Sequence, residues 1–245
     1  MIRGIYTATS GMLVENRRQE NISQNLANVN TTGFKQVYLT AVSQEEITVR
    51  NMNGGHDVGV IPTLVGTDDP TRIMTQGALK STELTHDFAI NGEGFFTVEG
   101  PNGENLYTRD GRFGVDAEGR LVTKEGYPVL MSEGEYAYVN QEDFVVGSDG
   151  SFTVDGQDYQ FLICTVEDAQ QLVSQGDNLY TYNGVTEVAE EGYVVAQGYI
   201  EGSNVSTTDE MVNLIAASRS YQSNAQVLKA MDQVLGQLVN QVGRI

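Results

Sequence analysis

Thirty-three carboxylates against fourteen Lys and Arg side chains make acid–base chemistry the first possibility to weigh in this 245-residue chain. A general acid and base need two carboxyl groups facing one cleft, with their proton affinities pushed apart. Most candidates stand instead at turns: Asp110-Gly111, Asp116 ahead of Glu118-Gly119, Asp149-Gly150 and Asp155-Gly156. There, a short oxygen-bearing side chain bonding its own backbone explains the residue without catalysis. Asp149, Asp155 and Asp158 cluster in sequence, but they lack the alternate-residue oxygens and closing bidentate Glu of an EF-hand loop. His56 and His86 have no Ser or Cys motif beside them and read as solvated loop residues. The Gly92-Glu93-Gly94 stretch leads into a strand-like run and lacks the third glycine of a phosphate cradle. Cys164, the one cysteine, sits in the apolar run Phe161–Val166 and reads as a buried strand thiol. Alone it builds neither a disulfide scaffold nor a Cys-based zinc site. No catalytic, cofactor-binding or metal-binding residue is expected, and no small-molecule substrate.

The elements that carry these residues fall into three parts. Residues 1–36 hold Arg3, Arg17, Arg18 and Lys35 against Glu15 and Glu20, and residues 207–245 balance three basic with three acidic groups. The 37–206 stretch holds 7 basic and 28 acidic groups, all four prolines and 22 of the 27 glycines. A net charge of −19 and a pI near 4.3 argue against nucleic acid or an anionic membrane face as partner. No apolar run reaches the 18 residues of a membrane span. The N-terminus shows no apolar core or cleavage site of a signal peptide, so the expectation is a cytoplasmic protein or one exported with its N-terminus intact.

Both ends read as helices. Steps of three and four give Met211, Leu214, Ser218, Tyr221, Ala225, Leu228, Asp232, Leu235, Val239 and Val242, an apolar repeat long enough to predict a coiled coil. Thr207 with Glu210 has capping-box spacing, and Gly243 stands where a C-terminal stop belongs. At the other end the same steps give Ile5, Ala8, Met12, Glu15, Gln19, Ile22, Leu26 and Val29, a seam polar in its middle. The helix is expected to finish near Asn28–Asn30. Its asparagines Asn21, Asn25, Asn28 and Asn30 could cap the helix end and bridge subunits. Asp232 occupies a seam position, so it is expected to meet Arg17 or Arg18 of another helix, or else to be solvated after the last turns rotate. The centre reads as β, with short aromatic and β-branched runs separated by Asn91-Gly92, Asn102-Gly103, Asp155-Gly156 and similar pairs, the strongest local hairpin signal. Residues 37–75 look like an extended connector with short strands.

Several blocks resemble the bacterial flagellar basal-body rod and hook axial family. They are Ser10-Gly11-Met12 with Asn21 through Lys35, Asn91–Phe96 with Tyr107–Phe113, Gly198–Val205, and Glu210–Ile215 with Ser220-Tyr221. The second and third blocks look like the proximal or distal rod subfamilies, not the longer hook protein. The resemblance implies an α+β fold, with N- and C-terminal helices pairing as a coiled-coil core domain and a central all-β domain inserted between them. Its implied domains are 1–36 (N-terminal helix of the axial core), 37–80 (extended connector), 81–200 (β-rich outer domain) and 201–245 (C-terminal helix of the axial core). It also implies a structural, non-enzymatic subunit of the rod that assembles helically into the drive shaft between motor and hook. The seam residues expected to carry assembly are Ile5, Met12, Ile22, Asn25, Leu26, Asn28, Met211, Leu214, Tyr221, Leu228, Asp232, Leu235, Val239 and Val242. Implied partners are copies of itself, other rod and hook proteins and the flagellar type III export apparatus. The implied location is the basal body in the periplasm and cell-wall zone, reached without a cleaved signal peptide, and no cofactor is implied. Two alternatives belong to other classes. A secreted β-domain adhesin on a coiled-coil stalk would need one uninterrupted helix, and a peptidoglycan hydrolase would need carboxylates such as Glu93, Asp110, Asp116 and Glu118 to face a cleft.

Overall fold

A computed structural model describes residues 2–50, 57–132, 134–139, 144–189 and 192–242. His56, the Asn53-Gly54-Gly55 breaker and Gly243 lie outside the described residues, as do the side chains of Val239 and Val242.

The N-terminal segment has no proline, and its two glycines do not interrupt it: helix α1 spans Ile2–Ala27. The C-terminal helix, α2, spans Thr207–Val242, a length of roughly 54 Å at 1.5 Å per residue. Its cap lies one residue earlier than the Thr207–Glu210 spacing suggested. Ser206 Oγ accepts from Asp209 N at 3.4 Å, and Ser206 O accepts the first intrahelical bond from Glu210 N at 3.0 Å.

The chain divides into two units. The first comprises residues 1–27, 37–71 and 206–245. In it the stretch expected as a connector holds strands Ala41–Arg50 and Asp57–Thr67, paired antiparallel from Ala41↔Thr67 to Arg50↔Asp57. Strand Asp57–Thr67 packs on α1, where Ser10 Oγ accepts from Val65 N at 3.4 Å and Arg17 donates to Thr67 Oγ1 at 2.8 Å.

The second unit comprises residues 28–36 and 72–205. Its largest sheet is antiparallel and six-stranded, in the order Val173–Gly176, Leu179–Thr181, Asn105–Thr108, Phe95–Glu99, Ile163–Val166, Thr186–Val188. The core beneath it is aromatic: Phe88, Phe96, Phe113, Phe152 and Phe161 are buried together, with ring centroids 5.1–6.3 Å apart in tilted and edge-on pairs. Asp155-Gly156 closes the hairpin of Ser151–Val154 with Gln157–Gln160, and both turn residues take positive φ (53° and 79°), as a type I′ turn demands. Asn91-Gly92 does not close a hairpin. It lies within strand Phe88–Gly92, which pairs with the distant Tyr193–Gln197, because that strand buries Phe88 and Ile90.

The α+β composition holds, with two long helices and a β centre. The coiled-coil expectation does not. Met211, expected inward, is 50 % exposed, and Asp232 is exposed as well. The least exposed line of α2 runs Glu210, Leu214, Ala217, Tyr221, Asn224, Leu228, Met231 and Leu235, so three of the four alternate positions carry an acid, a single methyl or an amide (Glu210, Ala217, Asn224) and the apolar seam is interrupted. In addition, α1 spends a second face on the Asp57–Thr67 strand. The result is helix, helix and hairpin packed together, not a two-helix supercoil.

Candidate assembly interface

Within the first unit, α1 and α2 run antiparallel. Gly4 lies against Met231, Gly11 against Asn224, and Ile22 shares a cavity wall with Ala217. Gly4, Ala8 and Gly11 follow one another at steps of four and three on α1, so one helix face is nearly bare backbone and α2 can come close. A Cβ on Gly11 would stand 2.9 Å from Asn224 Nδ2. Next along the helix, Asn25 is fully buried and serves as a one-residue strand partner. Its Nδ2 donates to Val37 O at 2.8 Å and its Oδ1 accepts from Val37 N at 3.0 Å. Both ends of a buried amide are thereby satisfied within the chain.

Among the expected seam residues, Ile22 and Asn25 are buried; Ile5, Met12, Leu26, Asn28, Leu214, Tyr221, Leu228 and Leu235 are half-buried. Ile5 meets Leu228 at a small notch rimmed by Lys229 and Asp232. Four of the α2 positions thus lie on the inward line, while Met211 and Asp232 each miss it by one residue, Glu210 and Met231 standing in their places. Asp232 does not meet Arg17 or Arg18, because the antiparallel arrangement sets those arginines at the opposite end of α2. Arg18 lines the cavity with Asn213 and Ser220, and Arg17 reaches Thr67. The contact glycines Gly4 and Gly11, with Asn224 and Met231, were missed. Their signal was the small-residue spacing on α1. Asp232→Lys should therefore leave the stability of the first unit within about 0.5 kcal/mol of the parent, whereas Met231→Lys should cost about 2 kcal/mol or more. Thermal denaturation followed at the helical circular dichroism band distinguishes the two.

In the second unit a buried ionic centre joins three distant stretches. The Glu201 carboxylate accepts from Lys35 Nζ at 2.7 Å, from Gly77 N at 2.9 Å and from an Arg109 terminal nitrogen at 3.2 Å, and its carbonyl accepts from Gly33 N at 2.9 Å. Lys35 and Glu201 are each 1 % exposed, and Arg109 is buried too. Lys35 also donates to Thr75 O at 3.0 Å; Arg109 donates to Gly92 O at 2.9 Å and lies over the Phe95 ring at 5.2 Å. Burial pushes the Lys35 amine below its ordinary value, with the Glu201 charge and hydrogen bond opposing that shift. Asn204 closes the junction, accepting from Gln36 N at 2.7 Å and donating to Ile73 O at 2.7 Å. Gly33 holds φ +67° there, and a Cβ would stand 2.6 Å from Asp110 N, so both conformation and space call for glycine.

Three of the turn carboxylates are occupied locally. Asp110 pairs with Arg112 at 3.1 Å, Asp116 with Arg120 at 2.9 Å, and Asp149 accepts from Ser151 N and Oγ. His86 is half-buried against the edge of Phe144, not solvated as expected, because its strand-leading position carries it to the aromatic core. Cys164 is buried, with Thr97 Oγ1 3.4 Å from its sulfur, and burial raises its thiol pKa.

Three family models match: the flagella basal body rod protein over residues 5–35, the D1 domain of the flagellar hook protein FlgE/F/G over 89–154, and the flagellar basal body rod FlgEFG C-terminal region over 196–242. The chain is 33 % identical to the flagellar basal-body rod protein FlgG of Borreliella burgdorferi, covering 96 % of this chain and 97 % of that one. It is 32 % identical to FlgG of Bacillus subtilis (98 % and 99 % covered) and 32 % identical to FlgF of Caulobacter vibrioides (100 % of both). This chain belongs to the flagellar basal-body rod protein family. The three matched blocks of the rod family are also the three stretches that meet at the ionic centre: Lys35 closes the first, Arg109 stands in the second, Glu201 and Asn204 in the third. The similarity to FlgG and to FlgF is of the same size, so it does not divide the rod family further.

Proposed function

We propose that this chain is a structural, non-enzymatic subunit of the bacterial flagellar basal-body rod, assembling helically through its terminal helices into the shaft between motor and hook. The observation that carries this reading is the apolar surface α2 leaves uncovered: Met211, Val212, Ile215, Val227, Val234 and Leu238 are all exposed. A helix with that much apolar surface on several sides is covered by neighbours in its working state. A contact repeated head to tail without closing gives a filament. Copies of this chain, neighbouring rod and hook proteins and the type III export apparatus are the partners of this reading, and the basal body in the cell-wall zone is its location. Ile5, Met12, Ile22 and Leu26 with Leu214, Tyr221, Leu228 and Leu235 hold the subunit's own helix pair. Met211 then faces a neighbour. Of the carboxylates a hydrolase would use, Asp110 and Asp116 are tied to Arg112 and Arg120, so no observation favours that alternative.

Deleting the gene for this chain and imaging isolated basal bodies tests the proposal. The expected result is a truncated rod without hook or filament, restored by the intact chain. Complete, rotating flagella in the deletion strain would overturn it.

A further inference from the structure

We infer that Asn183-Gly184 is a self-modifying site, at which the folded chain converts its own asparagine through a cyclic succinimide into aspartate and isoaspartate. Three Asn-Gly pairs lie among the described residues, Asn91-Gly92, Asn102-Gly103 and Asn183-Gly184, and the same reaction is open to each. The glycine backbone nitrogen gives up its proton to a solvent base and attacks Cγ of the asparagine. A C–N bond forms there, the Cγ–Nδ2 bond breaks, and ammonia leaves with a proton from solvent. Water then opens the ring at either carbonyl, giving aspartate or its backbone-lengthened isomer. One water is taken up and one ammonia released, with no change of oxidation state. A glycine after the asparagine leaves the attacking nitrogen unscreened by a Cβ. What separates the three pairs is whether the fold leaves that nitrogen free.

At two of them it does not. Gly92 N donates to Gln76 Oε1 at 3.2 Å, and Asn91 is held in the ladder opposite Val194. Gly103 N donates to Gly100 O at 3.0 Å, closing the turn that Pro101 and Asn102 form. An N–H already shared in a hydrogen bond holds its proton more firmly, and its backbone is not free to turn toward Cγ. Asn183-Gly184 carries the same hairpin signal but closes no hairpin. It joins Leu179–Thr181 to Thr186–Val188, which stand second and sixth in the six-stranded sheet. The chain crosses the sheet there instead of turning back on itself, so the bond that would close a turn is not made. Both residues are exposed, and neither the Asn183 amide nor Gly184 N has a hydrogen-bond partner among the described residues. The Tyr182 ring lies over Gly184, where a Cβ would stand 2.5 Å from it, and the Tyr182 hydroxyl accepts from Asp168 N at 3.3 Å. Packing therefore requires the glycine, while the asparagine before it is free to rotate. Conversion places a negative charge beside Val185, which is 74 % exposed, so converted copies differ from fresh ones on an open surface.

Ageing of the purified full-length chain at mildly alkaline pH tests the inference, with digestion after glutamate and tandem mass spectrometry following each asparagine separately. Asn183 should convert about tenfold ahead of Asn91 and Asn102, the factor equivalent to about 1.4 kcal/mol, the scale of one amide hydrogen bond. The product should be a mixture of aspartate and isoaspartate, since the ring opens both ways, and isoaspartate is read by its methylation with an isoaspartyl methyltransferase. Asn183→Gln should remove that label while leaving the circular dichroism spectrum of the chain unchanged. In urea, where the hydrogen bonds of Gly92 and Gly103 are gone, the three pairs should convert at similar rates. Conversion of Asn183 no faster than that of Asn102 in the folded chain, a product with aspartate alone, or a preference for Asn183 that survives urea would each overturn the inference.

Discussion

Glu201→Gln should unfold the second unit under conditions where the parent is stable, lowering its stability by about 3–5 kcal/mol. The substitution keeps the size of the side chain and one carbonyl oxygen. What it removes is the carboxylate charge paired with two buried cations, Lys35 at 2.7 Å and Arg109 at 3.2 Å. An uncompensated buried charge is among the most costly defects a fold can carry, because water no longer solvates it. The expected loss corresponds to more than two decades in the folding equilibrium. Replacing all three groups by apolar residues of similar volume (Lys35→Met, Arg109→Met, Glu201→Leu) should recover most of the loss, since a matched apolar cluster avoids the desolvation of three charges. Urea denaturation followed by tyrosine fluorescence measures both variants. A Glu201→Gln chain within about 1 kcal/mol of the parent would show that water reaches this centre and solvates the cations.

Gly11→Leu carries the second large effect, and here two physical terms disagree in sign. Helix propensity alone predicts stabilisation of about 1 kcal/mol, since glycine is the weakest helix former apart from proline. Packing predicts the opposite. The Cβ of any residue at position 11 arrives 2.9 Å from Asn224 Nδ2, and a leucine side chain continues from there into α2. An alanine can be accommodated if the Asn224 amide swings aside, so Gly11→Ala should be close to neutral. Leucine cannot be cleared by one amide, and overpacking of this kind costs about 1–3 kcal/mol before the propensity gain is subtracted. With α1 and α2 forced apart, Gly4 and Ile22 lose their contacts on α2 too, and the exposed apolar line of α2 changes its position relative to α1. Gly11→Leu should therefore lower the helical melting transition and block rod assembly in cells, while Gly11→Ala permits both. A Gly11→Leu chain that melts with the parent and supports swimming would show that α1 and α2 do not meet closely at Gly11.

Much of this protein was legible residue by residue. Two proline-free, near-neutral ends had to be helices, and turn pairs spaced through an acidic, glycine-rich centre had to be β. The family blocks were legible as well, and so was the hairpin at Asp155-Gly156, because a type I′ turn is a local event settled by two adjacent residues. What the tertiary structure decided was phase and distance. A three-four repeat determines the period of a helix face, but shifting alternate positions by one residue keeps the period and exchanges Asp232 for Met231 and Met211 for Glu210. Apolar content could not choose between the two, because the face in use accepts Ala217 and Asn224 where α1 offers Gly11. Asn91-Gly92 carries a hairpin signal that burial of Phe88 and Ile90 overrules in favour of a partner strand about a hundred residues away. The Lys35–Arg109–Glu201 centre has no local signature at all. Its members are separated by up to 166 residues, and each reads alone as an ordinary surface charge until the fold removes the water around all three at once.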